Sequence, residues 1–284
     1  MSTLLSPTSF RHEHVEAIDS TNAELRRRAP NEPIHGLALS AGFQTEGRGQ
    51  RGRRWFAERD QAVLLSVAWA FPQSRRLDGL SLAIGVAVAE AISALDVPGV
   101  ANAANVQLKW PNDLLLARPR DIGVGKLGGI LIESVPLTAQ PTQRDGARLA
   151  IIGIGINIVL PQRTVEPLQP TDAPAALPPA ALLAESQGHI NTLRQHLTEL
   201  LLSALWHALN TFSDQGFAAF RERWWQRRAF ADQSVQATAP DGTTVDGVIT
   251  ELTDTGALVI STALGRHTLV SGAVSLRPLD HHRN

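Results

Sequence analysis

Two apolar runs, residues 36–43 (GLALSAGF) and 62–71 (AVLLSVAWAF), flank a stretch that no hydrophobic core accepts. Residues 47–55 hold four arginines and three glycines and end on Trp55. The runs read as strands, so the chain must fold as strand, loop, strand, with the loop left to solvent or to a ligand. Glycine lets the backbone approach a ligand closely. Arginine offers a planar fork of donors that fits carboxylate and phosphate. Taken alone, the loop fits an anion site, and equally a solvated basic loop or a nucleic-acid contact. Two features favour a ligand: strands on both sides hold the loop firmly, and Trp55 offers a face for a flat ring.

The rest of the chain supplies the scaffold. Residues 77–95 carry Leu80, Ala83, Ile84, Ala87, Val88, Ala91 and Leu95 at helical spacing. Residues 106–110 read as a short strand stopped by Pro111-Asn112-Asp113. Residues 127–135 and 149–158 are apolar and β-branched, as central strands are. Six prolines make residues 161–180 a surface loop. Helices are expected over 191–212 and 216–228. From 234 to 278 apolar and polar residues alternate between turns at Asp241-Gly242, Thr255-Gly256 and Leu264-Gly265, which predicts a small β-barrel or sandwich. The expected division is 1–231 and 232–284.

Net charge is −1, so no global field favours nucleic acid or a membrane surface. The absence of cysteine removes disulfides, thiolate metal sites and a cysteine nucleophile. Residues 82–95, the longest apolar stretch, are too few to span a bilayer and include Glu90. With no signal-peptide pattern at the N-terminus, the expected location is cytoplasmic. Of 26 Lys+Arg only Lys109 and Lys126 are lysine. Each lies beside a motif, where a compact, movable ammonium does what a rigid fork does not.

Lys109-Trp110-Pro111-Asn112-Asp113 presents an ammonium, an amide and a carboxylate at the end of a strand. Asp113 there suits Mg²⁺ or a ligand, or simply bonds its own backbone. Residues 123–131 place Lys126 before a Gly-Gly pair within a strand, a mark of close approach. They are not a Walker A loop. Gly153-Ile154-Gly155-Ile156-Asn157 repeats the device, with packing against a helix as the plainer reading. Asp19-Ser20-Thr21-Asn22 precedes a helix. There Ser20 or Thr21 is a cap, with Glu24 completing a capping box from Thr21. The nine histidines show no HxxxH or HExxH spacing, so no metal site is assigned, and no GxSxG elbow is present.

In order and spacing, these motifs together resemble the biotin protein ligases. The matching pieces are Asp19 through Asn22, Gln44 with residues 47–55, Lys109 through Asp113, Lys126 through Glu133, Gly153 through Asn157, and Ser275-Leu276-Arg277. The resemblance implies an α+β fold: a mixed β-sheet with helices packed on one face, then a small C-terminal SH3-like β-barrel. It implies biotin and ATP as substrates with Mg²⁺, a biotinyl-5′-AMP intermediate, and transfer to a lysine of a biotin carboxyl carrier protein domain of a biotin-dependent carboxylase. A lipoate-protein ligase is the related alternative, and a nucleic-acid module using the Gly/Arg loop is the unrelated one.

Carried over by position, Ser20, Thr21, Asn22, Gln44, Arg48, Gly49, Gln50 and Lys126 are expected at biotin. Arg51, Arg53, Trp55, Lys109, Asn112, Asn157 and Arg277 are expected at the nucleotide. Arg48 and Lys126 carry the catalytic roles, and Asp113 is the candidate general base. Gln50 stands where relatives often carry a further arginine, and Ala273 where an acidic residue is usual. Residues 117–125 and 161–180 look longer than the family core. Eighteen residues precede Asp19, too few for an independently folded DNA-binding domain, so no operator binding is expected.

Overall fold

The computed structural model describes residues 9–97, 100, 105–117, 123–136, 147–161, 177–183, 189–239, 241–270 and 275–279. Most of both insertions (118–122 and 162–176), the departure at Ala273 and the His281-His282 tail lie outside these residues.

Seven strands form the main sheet: β1 (Arg11–Val15), β2 (Leu37–Ala41), β3 (Ala62–Phe71), β4 (Gln107–Lys109), β5 (Asp113–Ala117), β6 (Val124–Pro136) and β7 (Arg148–Asn157). Their order is β1-β2-β3-β7-β6-β5-β4. β1 and β2 are parallel and the other neighbours antiparallel, so the sheet is mixed. β3 and β7, the longest pair, run in unbroken register from Ala62↔Asn157 to Phe71↔Arg148.

Alternation along these strands sorts their side chains into two layers. Val63, Leu65, Val67, Trp69 and Phe71 of β3 face the same way as Ala150, Ile152, Ile154 and Ile156 of β7. They form the main core with α2 (Leu80–Ser93) and α3 (Ile190–Gln215). Each fully buried Leu, Ile or Val there stabilises by about 1.5–3 kcal/mol. Ala68, Leu149 and Ile151 face the opposite way, against Leu25 of α1 (Thr21–Arg28). The two long helices thus share one face, as the resemblance implies, and α1 lies on the other. α1 is eight residues long and ends in three arginines, so it covers only part of its face and leaves the remainder open.

Two strands escaped the periodicity reading. β1 (RHEHV) is a charged edge strand that pairs on one side only. β5 (DLLLA) follows the Pro111-Asn112 turn without a spacer. The expected helix at 216–228 is a 3₁₀ turn (Phe217–Phe220) followed by α4 (Arg221–Gln226).

The C-terminal strands β8 (Ser234–Thr238), β9 (Thr244–Leu252), β10 (Leu258–Thr262), β11 (Gly265–Leu269) and β12 (Ser275–Pro278) form an antiparallel sheet in the order β11-β10-β9-β8-β12. Two contacts tie this part of the chain to the strand that carries Lys109. Leu108 exchanges backbone hydrogen bonds with Arg227 and Ala229 (2.8 and 2.9 Å). The buried Trp110 Nε1 donates to the Gly256 carbonyl at 3.0 Å. Gly256 has φ +79°, and a Cβ there would lie 2.9 Å from Gly79 Cα, so the turn needs glycine on both counts. No helix among the described residues is long and apolar enough to cross a membrane.

Candidate active site

The Gly/Arg stretch is a hairpin. Gly49 N–H donates to Arg53 O at 2.7 Å and Trp55 N–H to Gly47 O at 2.9 Å, around a turn at Gln50–Gly52 with Arg51 at φ 60°. This tight backbone pairing pushes Arg48, Arg51 and Arg53 outward, where all three are exposed.

Asp113 is the centre of the charged part of the site. It opens β5, paired on one side with Lys109 of β4. Lys126 Nζ donates to its Oδ1 at 2.6 Å and Lys109 Nζ to its Oδ2 at 3.2 Å. Gly129 of β6 lies beside this pair: a Cβ there would be in ordinary contact, 3.4 Å from Lys126 Cε and Nζ. Burial alone would raise the Asp113 pKa, but Lys126 and Lys109 together outweigh it and hold the carboxyl below its ordinary range. Burial lowers Lys109, which Asp113 only partly offsets, while Lys126 and Arg277 lower it further. Arg51 is exposed overall, yet partial desolvation and Arg53 lower it while Asp113 raises it; burial and Arg53 lower Arg277. Two lysines thus share one carboxylate, and arginines of the hairpin and the C-terminal sheet add like charge nearby. A bound polyanion would relieve that repulsion.

The second part of the site is uncharged at its centre. Ser20 Oγ caps α1 by accepting from Ala23 N–H at 3.4 Å. Thr21 is therefore already helical, and the Glu24 capping box does not form; the Glu24 carboxylate instead bonds Arg27 and Arg28. Gln44 Oε1 accepts from Thr21 N–H at 2.7 Å. Thr21 Oγ1 lies 2.6 Å from Ser66 Oγ, which donates to Asn22 Oδ1 at 2.6 Å. Asn22 Nδ2 donates to Glu133 at 2.9 Å, and Arg26 reaches the other oxygen of Glu133 at 3.0 Å. Asp19 is drawn away from this network: the Arg27 guanidinium bonds both its oxygens and lowers its pKa to about 2.

Between the two parts, Gly153 and Gly155 let side chains from other elements lie directly on the sheet backbone. A Cβ on Gly153 would stand 2.5 Å from Asn22 Oδ1, and one on Gly155 would stand 2.6 Å from Trp55 Cε2. The Trp55 indole thus lies on β7, 6.0 Å from Lys126 Nζ, and its Nε1 is buried without a hydrogen-bond partner among the described residues.

A model of the biotin/lipoate A/B protein ligase family matches residues 15–157, the span that builds this face. The chain belongs to that family. Within it, the ligase stands with the biotin protein ligases. It is 32% identical over 264 residues to the bifunctional ligase/repressor BirA of Escherichia coli, covering 93% of this chain and 73% of that protein. It is 32% identical over 264 residues to the biotin--[acetyl-CoA-carboxylase] ligase of Paracoccus denitrificans, covering 90% and 96%. The biotin protein ligase from Aquifex aeolicus in complex with biotin and ATP shares the fold with TM-score 0.69 at 23% identity, covering 94% and 99%.

The geometry redraws several expected site residues of this ligase. Asn112 Nδ2 donates one of its two N–H groups to the Ile130 carbonyl at 2.9 Å, fixing the turn against β6. Asn157 Nδ2 likewise donates to the carbonyls of Ala180 (2.9 Å) and Lys126 (3.4 Å), so what Asn157 has left to offer a base is its amide oxygen. Gly49 gives its N–H to the Arg53 carbonyl, so that donor is taken within the hairpin. Asp113, shared between two lysines and held ionised, is a poor proton acceptor, which weighs against its reading as a general base. Four contributors were not assigned from sequence: Ser66, Glu133, Gly129 and the end of the proline-rich loop. Pro178 O accepts from Lys126 N–H at 2.7 Å and Ala180 N–H donates to Lys126 O at 2.8 Å, clamping the lysine backbone on both sides. A serine inside the otherwise apolar β3 was the available signal for Ser66.

Proposed function

We propose that this ligase joins biotin to ATP as biotinyl-5′-AMP and transfers the biotinyl group to a lysine of a biotin carboxyl carrier protein domain. The observation that carries this reading is the sharing of Asp113 by Lys109 and Lys126, with the hairpin arginines and Arg277 near enough to act on this cluster electrostatically. In the first step a biotin carboxylate oxygen attacks the α-phosphorus, and the bond from that phosphorus to the bridging oxygen breaks as pyrophosphate leaves. Two anions must meet, so cations fixed in place before the reaction lower the barrier without reorganising. Lys126 bridges carboxylate and α-phosphate, with Arg48 joining from the hairpin. Lys109, Arg51, Arg53 and Arg277 take the remaining phosphate charge, and Mg²⁺ enters with ATP. Trp55 walls the ligand, and the Asn157 amide oxygen accepts from the base.

In the second step the neutral amine of the carrier lysine attacks the acyl carbon, the bond to AMP oxygen breaks, and the proton shed by the amine passes to the departing AMP phosphate. Asp113 holds the two lysines and takes no proton. At the other end, Thr21 and Gln44 meet the ureido head of biotin, and Ser20 and Asn22 support them. The hairpin closes over the adenylate and excludes water that would hydrolyse it.

Labelled biotin incubated with ATP, Mg²⁺ and a purified carrier domain should appear on that domain and depend on all three. Transfer of lipoate in place of biotin, or no transfer at all, would overturn the reading.

A further inference from the structure

Glu133, Asn22, Ser66 and Thr21 form one continuous chain of hydrogen bonds, and its direction is determined from one end. Glu133, a carboxylate paired with Arg26, can only accept. Asn22 must therefore turn its nitrogen toward Glu133 and its oxygen toward Ser66. An amide oxygen cannot donate, so the one proton of Ser66 goes to Asn22. The Ser66 oxygen then has only lone pairs for Thr21, 2.6 Å away, so the Thr21 proton goes to Ser66; otherwise two oxygens would meet there with no proton between them. Thr21 Oγ1 also lies 3.1 Å from Gln44 Oε1, but the hydroxyl has one proton, and the 2.6 Å contact to Ser66 claims it; Gln44 Oε1 keeps the Thr21 N–H at 2.7 Å. The same bond turns the Gln44 nitrogen away from Thr21, toward Gly47.

We infer that Glu133, acting through Asn22 and Ser66, fixes the Thr21 hydroxyl as a hydrogen-bond acceptor, so that this end of the site selects a ligand head presenting an N–H. This rests on the biotin reading above, whose ureido head carries such a donor beside a carbonyl. Glu133, Asn22 and Ser66 are positioning residues, remote from the reacting atoms. The sequence is built around the chain. Ser66 is wholly buried in β3 directly opposite Gly153, and Gly153 lacks the Cβ that would strike Asn22. A chain whose every member is satisfied is rigid in polarity as well as position.

Glu133→Gln tests this. A glutamine amide can donate to Asn22, which frees Asn22 to flip and the Thr21 proton to point at the ligand. The probes are biotin and a biotin methylated on its ureido nitrogens, measured by calorimetric titration against the intact ligase. The wild type should prefer biotin strongly, because a site built for an N–H rejects the ligand lacking it. In Glu133→Gln, biotin should weaken roughly tenfold or more with the methylated analogue nearly unchanged, so the preference shrinks. Ser66→Ala cuts the chain at its middle and should shrink the preference in the same way, which keeps the test standing if Glu133→Gln fails to fold. An unchanged preference in a folded variant overturns the relay, and so does parallel weakening of both ligands, the mark of a merely structural role. A wild type that binds no biotin overturns the functional reading and the relay with it.

Discussion

Lys126 Nζ and Asp113 Oδ1 lie 2.6 Å apart, and the same carboxylate holds Lys109 through its other oxygen at 3.2 Å. The only two lysines in the chain therefore share one counterion. Their spacing depends on Asp113 as much as on the strands that carry them.

Asp113→Asn should cut adenylate formation by on the order of 100-fold, because an amide cannot hold two ammonium groups together. Lys126→Ala should do the same. Lys126→Arg should be nearly as poor, since a planar guanidinium fork does not reproduce the compact ammonium that meets Asp113 at 2.6 Å. Biotin-dependent pyrophosphate exchange measures all three, and near-normal rates in Lys126→Ala would remove this lysine from the chemistry.

Lys109 predicts a pH dependence. Burial makes its ammonium lose its proton below the pH of an ordinary lysine. The charged form is the one that attracts phosphate, so 1/KM for ATP should fall as pH rises through this lowered pKa. Lys109→Arg keeps the charge throughout and should abolish that alkaline limb. A limb of the same position in Lys109→Arg would assign it to another group.

Gly155→Ala drives a methyl to within 2.6 Å of the Trp55 ring, so the indole must move. The expected cost is about 1–3 kcal/mol of stability, as for other overpacked sites. Urea unfolding reads that loss, and tryptophan emission should change with it.

Strands β3, β6 and β7 were legible because they are long apolar runs, and the exposed Gly/Arg loop was legible because four arginines cannot be buried; the mixed sheet itself came only with the resemblance. β1 was not, because an edge strand may carry charge where a central one does not. The roles of Asn112 and Asn157 were hidden for a different reason. A sequence shows an amide but not which of its two ends the backbone has claimed. Ser66 and Glu133 lie 67 positions apart and meet only through Asn22 of a third element, a relation that no local pattern encodes.

Gln50→Arg should slow the loss of biotinyl-adenylate from the site, because a guanidinium on the hairpin turn holds phosphate more firmly than an amide does. A chase of labelled adenylate with unlabelled biotin gives the rate. Equal rates in both proteins would remove position 50 from adenylate retention.

Trp110→Phe removes one buried hydrogen bond and strands the Gly256 carbonyl, at a cost of about 1–3 kcal/mol. KM for ATP should rise more than KM for biotin, because the bond fastens the C-terminal sheet to the strand of Lys109. Equal rises in both constants would argue that the bond serves stability alone.

At Gly153 and Gly155 the sheet offers only peptide backbone, and Asn22 and Trp55 lie directly on it, so substitution at either glycine displaces the side chain above. No mutation at these two positions removes a side chain, because there is none to remove. The range of ligands this scaffold accepts can be widened only at its walls, on α1, on β3 and in the hairpin. Natural divergence and deliberate redesign of the ligase must therefore work through the same few positions.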